Sequence, residues 1–164
     1  MAAVEGVAKS APQRRAQGRM FDGLEAVYVA AYRPITGRIT RLSPNPAVSE
    51  PSRPRSKGVF IVGSNFSNPG REEEFEDWYT NSVVPDVVAL PGFVAGARYQ
   101  IIGEPRQNEG QYFVHYVLEA DDMRAAADNL WKTIAEWRAQ GHGFEGLQLV
   151  YTAVYEAITG RITA

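Results

Sequence analysis

The sequence has no cysteine and only two histidines among its 164 residues. Without cysteine there can be no disulfide framework, thiolate nucleophile or thiolate metal site, and the reducing cytoplasm is the expected compartment. His115 and His142 stand far apart, with no H-x-x-x-H or H-E-x-x-H spacing, so too few ligands are present for a histidine-rich metal site. No Walker, G-x-G-x-x-G or G-x-S-x-G pattern occurs, which removes the nucleotide, dinucleotide and nucleophile-elbow hydrolase readings. No metal and no cofactor is therefore expected. No apolar run approaches the roughly 18 residues of a membrane span, and the N-terminus has no apolar signal core. A formal charge of −2 gives no electrostatic reason to expect nucleic acid or an anionic membrane as partner.

What is present is organised around Gly58–Phe93. An apolar run from Val59 to Val62 reads as a strand, and Asn68, Pro69 and Gly70 then signal a helix start. Glu72, Glu73 and Glu74 fall where the helix dipole favours negative charge, and Phe75, Trp78 and Tyr79 share one helix face. Pro85 should end that helix or restart it, and Pro91-Gly92 releases the chain into a second strand, Phe93–Ile102. A dense β-prone run, Tyr112–Glu119, precedes a second helix capped by Asp121-Asp122. Met123, Ala127, Leu130, Trp131, Ile134 and Trp137 recur on that helix at its 3.6-residue period. Leu147–Glu156 is the last main strand. The order β-α-β-β-α-β predicts an α+β fold, the ferredoxin-like unit in which a four-stranded antiparallel sheet carries both helices on one face. The bare face would need covering, and a homodimer packed sheet to sheet is the expected solution.

The two ends of the chain are copies. Arg15-Ala16-Gln17-Gly18 recurs as Arg138-Ala139-Gln140-Gly141. At the same offset of 123 residues, FDGLEAVYVAAYRPITGRIT from Phe21 matches FEGLQLVYTAVYEAITGRIT from Phe144 at 13 of 20 positions. A period of this size is that of a whole domain. Residues 1–40 therefore read as an orphan copy of a module's end, 41–57 as a proline- and serine-rich linker, and 58–164 as one complete module. Leu24–Tyr32 should form a strand equivalent to Leu147–Tyr155, paired at an edge, with a further short strand in the last ITGRIT.

The succession PGREEEF, WY, PDVVALPGF and an A-R-Y strand resembles EthD-like members of the dimeric α/β-barrel superfamily, over Gly58 to about Ile158. The resemblance implies two modules packed sheet against sheet, and activities ranging from small lyases, isomerases and cyclases to cofactor-free monooxygenases. Relatives carry a histidine two residues before P-D, where this chain has Val83. The acid/base role tied to that position is absent, and Trp78, Tyr79, Pro85 and Asp86 carry over only as parts that shape the helix and its turn.

Polar residues that interrupt apolar strands mark the candidate site. Arg98 and Gln100 share one face of the second strand, and His115 lies mid-strand with Phe113 and Val117. Arg98 and His115 are the candidate catalytic pair, one supplying fixed charge and the other a proton, with Tyr79, Gln100 and Tyr151 as substrate-binding candidates. The alternatives are a structural His115, an Arg98 that solvates its guanidinium at the sheet edge, and a His142 that is a plain loop residue. Two function classes follow: a cofactor-independent lyase, isomerase or cyclase acting on an apolar or aromatic metabolite, or a non-catalytic ligand-binding or assembly module.

Overall fold

The apolar run that opens the organising stretch belongs to a longer strand than its composition marks, because Ser56 and Lys57 at the end of the proline-serine segment already pair with Ala120 and Glu119. The computed structural model describes residues 30–40, 56–105 and 109–159. Within them run the strands β1 (Tyr32–Pro34), β2 (Ile39–Thr40), β3 (Ser56–Phe66), β4 (Phe93–Ile101), β5 (Tyr112–Ala120) and β6 (Leu147–Glu156). All pair antiparallel in the order β1-β4-β5-β3-β6, with β2 also on β4.

The expectation of a four-stranded ferredoxin-like α+β unit is overturned, since the sheet has six strands and carries only two helical arms. The extra strands come from the N-terminal copy. Without them β4 would be an edge strand with a row of unpaired N–H and C=O groups, and the β-branched residues of ITGRIT supply partners for that row. Of the strand expected over Leu24–Tyr32, residues up to 29 lie outside the described residues, while Tyr32 opens β1. The linker segment 41–55 and the final residues 160–164 also lie outside them.

The first helical arm comprises a 3₁₀ turn at Pro69–Arg71, α1 (Glu72–Trp78), a π-helical turn at Tyr79–Val83, and α2 (Val84–Ala89). Asn68 precedes it without forming the expected side-chain cap. Pro85 lies in the first turn of α2, where the α-helix restarts, as the second of the two expectations had it. Lacking an N–H, it cannot bond back into the preceding turn, and the helix widens to π geometry just there before continuing. The second arm is α3 (Met123–Ala139), whose N-cap Asp122 accepts a hydrogen bond from the Ala125 N–H at 2.9 Å. Among the described residues no helix is long and apolar enough to cross a membrane.

Both arms pack on one sheet face. Tyr112, Val114, Tyr116 and Leu118 of β5 are buried against them, together with Phe60 and Val62 of β3, Phe75 of α1, Val87 of α2 and Leu130 of α3. The alternate residues Phe113, His115 and Val117, with Val59, Ile61 and Tyr99, lie half-buried on the opposite face. Phe66 and Phe75 stack in parallel, with ring centroids 4.4 Å apart.

Candidate functional site

Where the two arms diverge over the sheet they enclose a cavity of about 470 Å³, within the size range of small-molecule sites. The sheet supplies its floor through Phe60, Val62 and Tyr116. The first arm supplies Trp78, Tyr79, Val83 and Val87, and α3 supplies Leu130, Trp131, Ile134 and Trp137 along one face. All three tryptophans of the chain therefore line one space. The π-helical turn brings both its first residue, Tyr79, and its last, Val83, to the wall. Arg138 at the end of α3 and His142 and Phe144 from the turn after it complete the rim, and Gly141 adopts a left-handed φ of 83° in that turn. The His142 N–H donates to the Trp137 carbonyl at 2.9 Å, which fixes that turn against the helix end.

The rim is polar at Arg138, His142 and Glu145, and the buried wall carries a pair of phenols. Tyr79 and Tyr116 are buried and hydrogen-bonded to one another through their side chains. Burial raises both above the ordinary phenol value of 10.0, with the nearby Arg98 charge opposing it, so both are neutral at physiological pH. One of the two hydroxyl protons is used within the pair, and the other remains available to a further acceptor.

Arg98 stands behind Tyr79 and is fully buried. Its Nη1 donates to the Glu76 carboxylate at 2.7 Å, to the Thr80 hydroxyl at 2.8 Å and to the Glu76 carbonyl at 3.1 Å. Its Nε and Nη2 find no oxygen among the described residues. The rings of Tyr79, Phe75 and Tyr112, with centroids 4.5, 5.6 and 5.7 Å from the guanidinium carbon, surround the charge instead. Beyond them the Tyr112 hydroxyl donates to Glu72, and burial together with that contact raises the Tyr112 phenol far above its usual range.

Arg98 and His115 do not share a cavity. Arg98 lies opposite Val114 and His115 opposite Ala97, so period 2 sends them to opposite faces of the sheet. Arg98 points to the helices, close to Tyr79 but outside the cavity lining. His115 is half-buried on the other face, stacked on Tyr99 with centroids 5.4 Å apart. Burial and then the Arg38 charge lower its pKa. Tyr151 also belongs to that face, with its ring over Gly63. Gln100 is on the helix side but accepts from Arg33 Nε at 3.1 Å and lines a separate cleft with Glu72 and Tyr112. Of the five candidates, only Tyr79 lines the cavity.

Sequence reasoning passed over Tyr116 and read His142 as a plain loop residue. The period-2 run Tyr112, Val114, Tyr116, Leu118 could have found the first. The second depends on how the turn folds back over Trp137, which leaves no local mark. Val83 presents an isopropyl group to the cavity. Among the described residues no group of three or more His, Asp or Glu is placed to hold a metal ion. No protein-family description, curated protein or solved structure gives a significant match to the chain.

Proposed function

We propose that this chain binds a ring-bearing, largely apolar small molecule in the cavity between sheet and helices, with one oxygen of the ligand accepting from Tyr79. The observation that carries the reading is the convergence of all three tryptophans and the Tyr79–Tyr116 pair on one half-open cavity. Aromatic walls supply apolar contact, and a buried neutral phenol donor selects an acceptor. Arg98, held 4.5 Å from the Tyr79 ring, favours ionisation of that phenol less than burial favours the neutral form, so the phenol stands ready as a proton donor.

A second reading, a cofactor-independent lyase, isomerase or cyclase, is favoured by one feature: His142 lines the same cavity. In it Tyr79 polarises a carbonyl while the His142 imidazole removes a proton from the adjacent carbon and returns it elsewhere on the ligand. The candidate catalytic pair Arg98 and His115 plays no part in either reading.

Calorimetric titration with 2-acetylnaphthalene and 2-ethylnaphthalene tests the site, and tryptophan emission follows the same titrations. The ketone binds more tightly than the hydrocarbon, by the few-fold to tenfold that one hydrogen bond of about 0.5–1.5 kcal/mol confers. Tyr79→Phe removes the difference. Equal affinities in the unaltered chain, or no binding of either probe, overturn the proposal. Conversion of a bound ketone that ceases in His142→Gln selects the enzymatic reading.

A further inference from the structure

The hexapeptide ITGRIT occurs at residues 35–40 and again at 158–163. The structure shows what the first copy does. The Ile35 N–H donates to the Arg98 carbonyl at 3.0 Å, and the Arg98 N–H donates to the Thr36 hydroxyl at 3.0 Å. Ile39 and Thr40 lie opposite Gly96 and Ala95, and Ile35 and Ile39 pack against the hydrophobic core. The copy is a hook laid along the edge of β4.

None of these contacts uses a residue in which the two copies differ. Ile158, Thr159, Ile162 and Thr163 offer the same groups at the same spacing, and the residue three before each copy is tyrosine, Tyr32 or Tyr155. Tyr32 extends the pairing opposite Ile101 and donates its hydroxyl to the Gly110 carbonyl at 3.2 Å. The differences fall at Arg33 against Glu156 and Pro34 against Ala157. Arg33 donates to the Gln100 side-chain oxygen. An amide also carries an N–H₂ group, which can serve a glutamate at that place equally well.

The described start of the second copy, Ile158 and Thr159, is exposed. Its Ile158 is 95% exposed and Tyr155 is 56% exposed. It leaves from β6, at the edge of the sheet opposite β4, with β3 and β5 between them. That separation is about 14 Å across three strand spacings, and the β4 edge of its own sheet is already filled. The duplicated segment thus has two parts: a strand that completes one sheet, then a hook with the sequence that fits the β4 edge.

We propose that residues 158–163 dock on the β4 edge of a second copy of this chain, in the place that residues 35–40 occupy within a single chain. The resident copy competes from a high effective concentration, so the edge opens to the second copy only when the first is released. Reciprocal exchange between two chains closes a two-fold assembly. This inference is independent of the ligand cavity.

The test uses the full chain carrying Ile35→Asp and Ile39→Asp, which removes the apolar anchors of the resident hook, and a fluorescent peptide of residues 155–163. The variant binds the peptide at least tenfold more tightly than the unaltered chain does, and a peptide with Ile158→Asp and Ile162→Asp does not bind. The Arg98 amide exchanges faster in the variant and slows again when the peptide is added, which distinguishes the β4 edge from the open β6 edge. Should the double variant lose its fold, Thr36→Ala, which deletes only the hydroxyl held by the Arg98 amide, gives the same readouts at smaller amplitude. The proposal is overturned if a folded variant binds the peptide no more tightly than the unaltered chain, if the aspartate peptide binds equally well, or if the Arg98 amide does not respond.

Discussion

The guanidinium carbon of Arg98 lies 4.5 Å from the centroid of the Tyr79 ring, so the only cation buried in the described core backs directly onto the phenol that faces the cavity. The same guanidinium holds Glu76 and Thr80 on successive turns of the first arm, where the helix changes from α to π geometry. Sheet, helical distortion and cavity wall are thus tied together at one side chain.

Replacing it should be costly. Arg98→Met removes one partner of an ion pair whose other member, Glu76, is 31% exposed and can rehydrate in part. A loss of about 3 kcal/mol is expected, at the low end for a broken buried pair. Urea denaturation measures it, and adding Glu76→Gln should recover part of the loss. A loss below about 1 kcal/mol would show that the pair behaves as a surface contact.

Tyr79, Tyr112 and Tyr116 all have phenols raised above 10.0 in the folded state. The folded chain therefore holds these protons more tightly than the unfolded chain. Their contribution to stability is complete below pH 10 and declines as the pH rises above it. Ultraviolet titration should show three tyrosines that ionise only as the protein unfolds. A reversible titration of all eight tyrosines near pH 10 with the fold intact contradicts this.

His115 has the opposite sign. Its folded pKa lies below 6.5, first through burial and then through the Arg38 charge. Stability associated with it is present above pH 6.5 and is lost as the pH falls through the folded value. Melting temperatures at pH 7.5 and pH 5 should differ less in His115→Phe than in the unaltered chain, and an unchanged difference would assign the acid sensitivity to other groups.

Two glycines separate a side-chain clash from a backbone clash. A Cβ at Gly63 would lie 2.1 Å from the Tyr151 ring, whereas one at Gly58 would lie 2.2 Å from the Tyr155 carbonyl oxygen and 2.5 Å from the Met123 sulfur. Gly63→Ala should destabilise by about 1–3 kcal/mol and be relieved by Tyr151→Ala. Gly58→Ala should not be relieved by Met123→Ala, because the carbonyl stays in place. Equal rescue at both sites would refute the distinction.

Much of the local structure was legible in the residues. The bounds of β6 and the Asp122 cap of α3 follow from alternation and capping chemistry that act over a few positions. The period of β5 likewise sorted His115 onto a face with Phe113 and Val117. What could not be read was which residues of different strands lie side by side. Register decides that Arg98 opposes Val114 and His115 opposes Ala97, and register is set by tertiary pairing. The six-stranded sheet was missed for a related reason. A further short strand was expected only in the last ITGRIT, and nothing within the copy at 35–40 shows that β4 has a vacant edge. His142 reaches the cavity through a loop, where no periodicity operates.

The two rims of the sheet differ in mechanical strength. On one side β6 runs along β3 through nine paired positions, while on the other β1 and β2 hold β4 through three and two. A stretching force applied between residues 30 and 159 loads both rims in series, and the shorter one yields first. The chain should then lengthen in a small initial step as residues 32–40 peel away, leaving β3 to β6 and both helical arms intact until a much larger force. Tension would thus uncover the β4 rim while the folded body persists, so pulling on the chain would itself act as a signal.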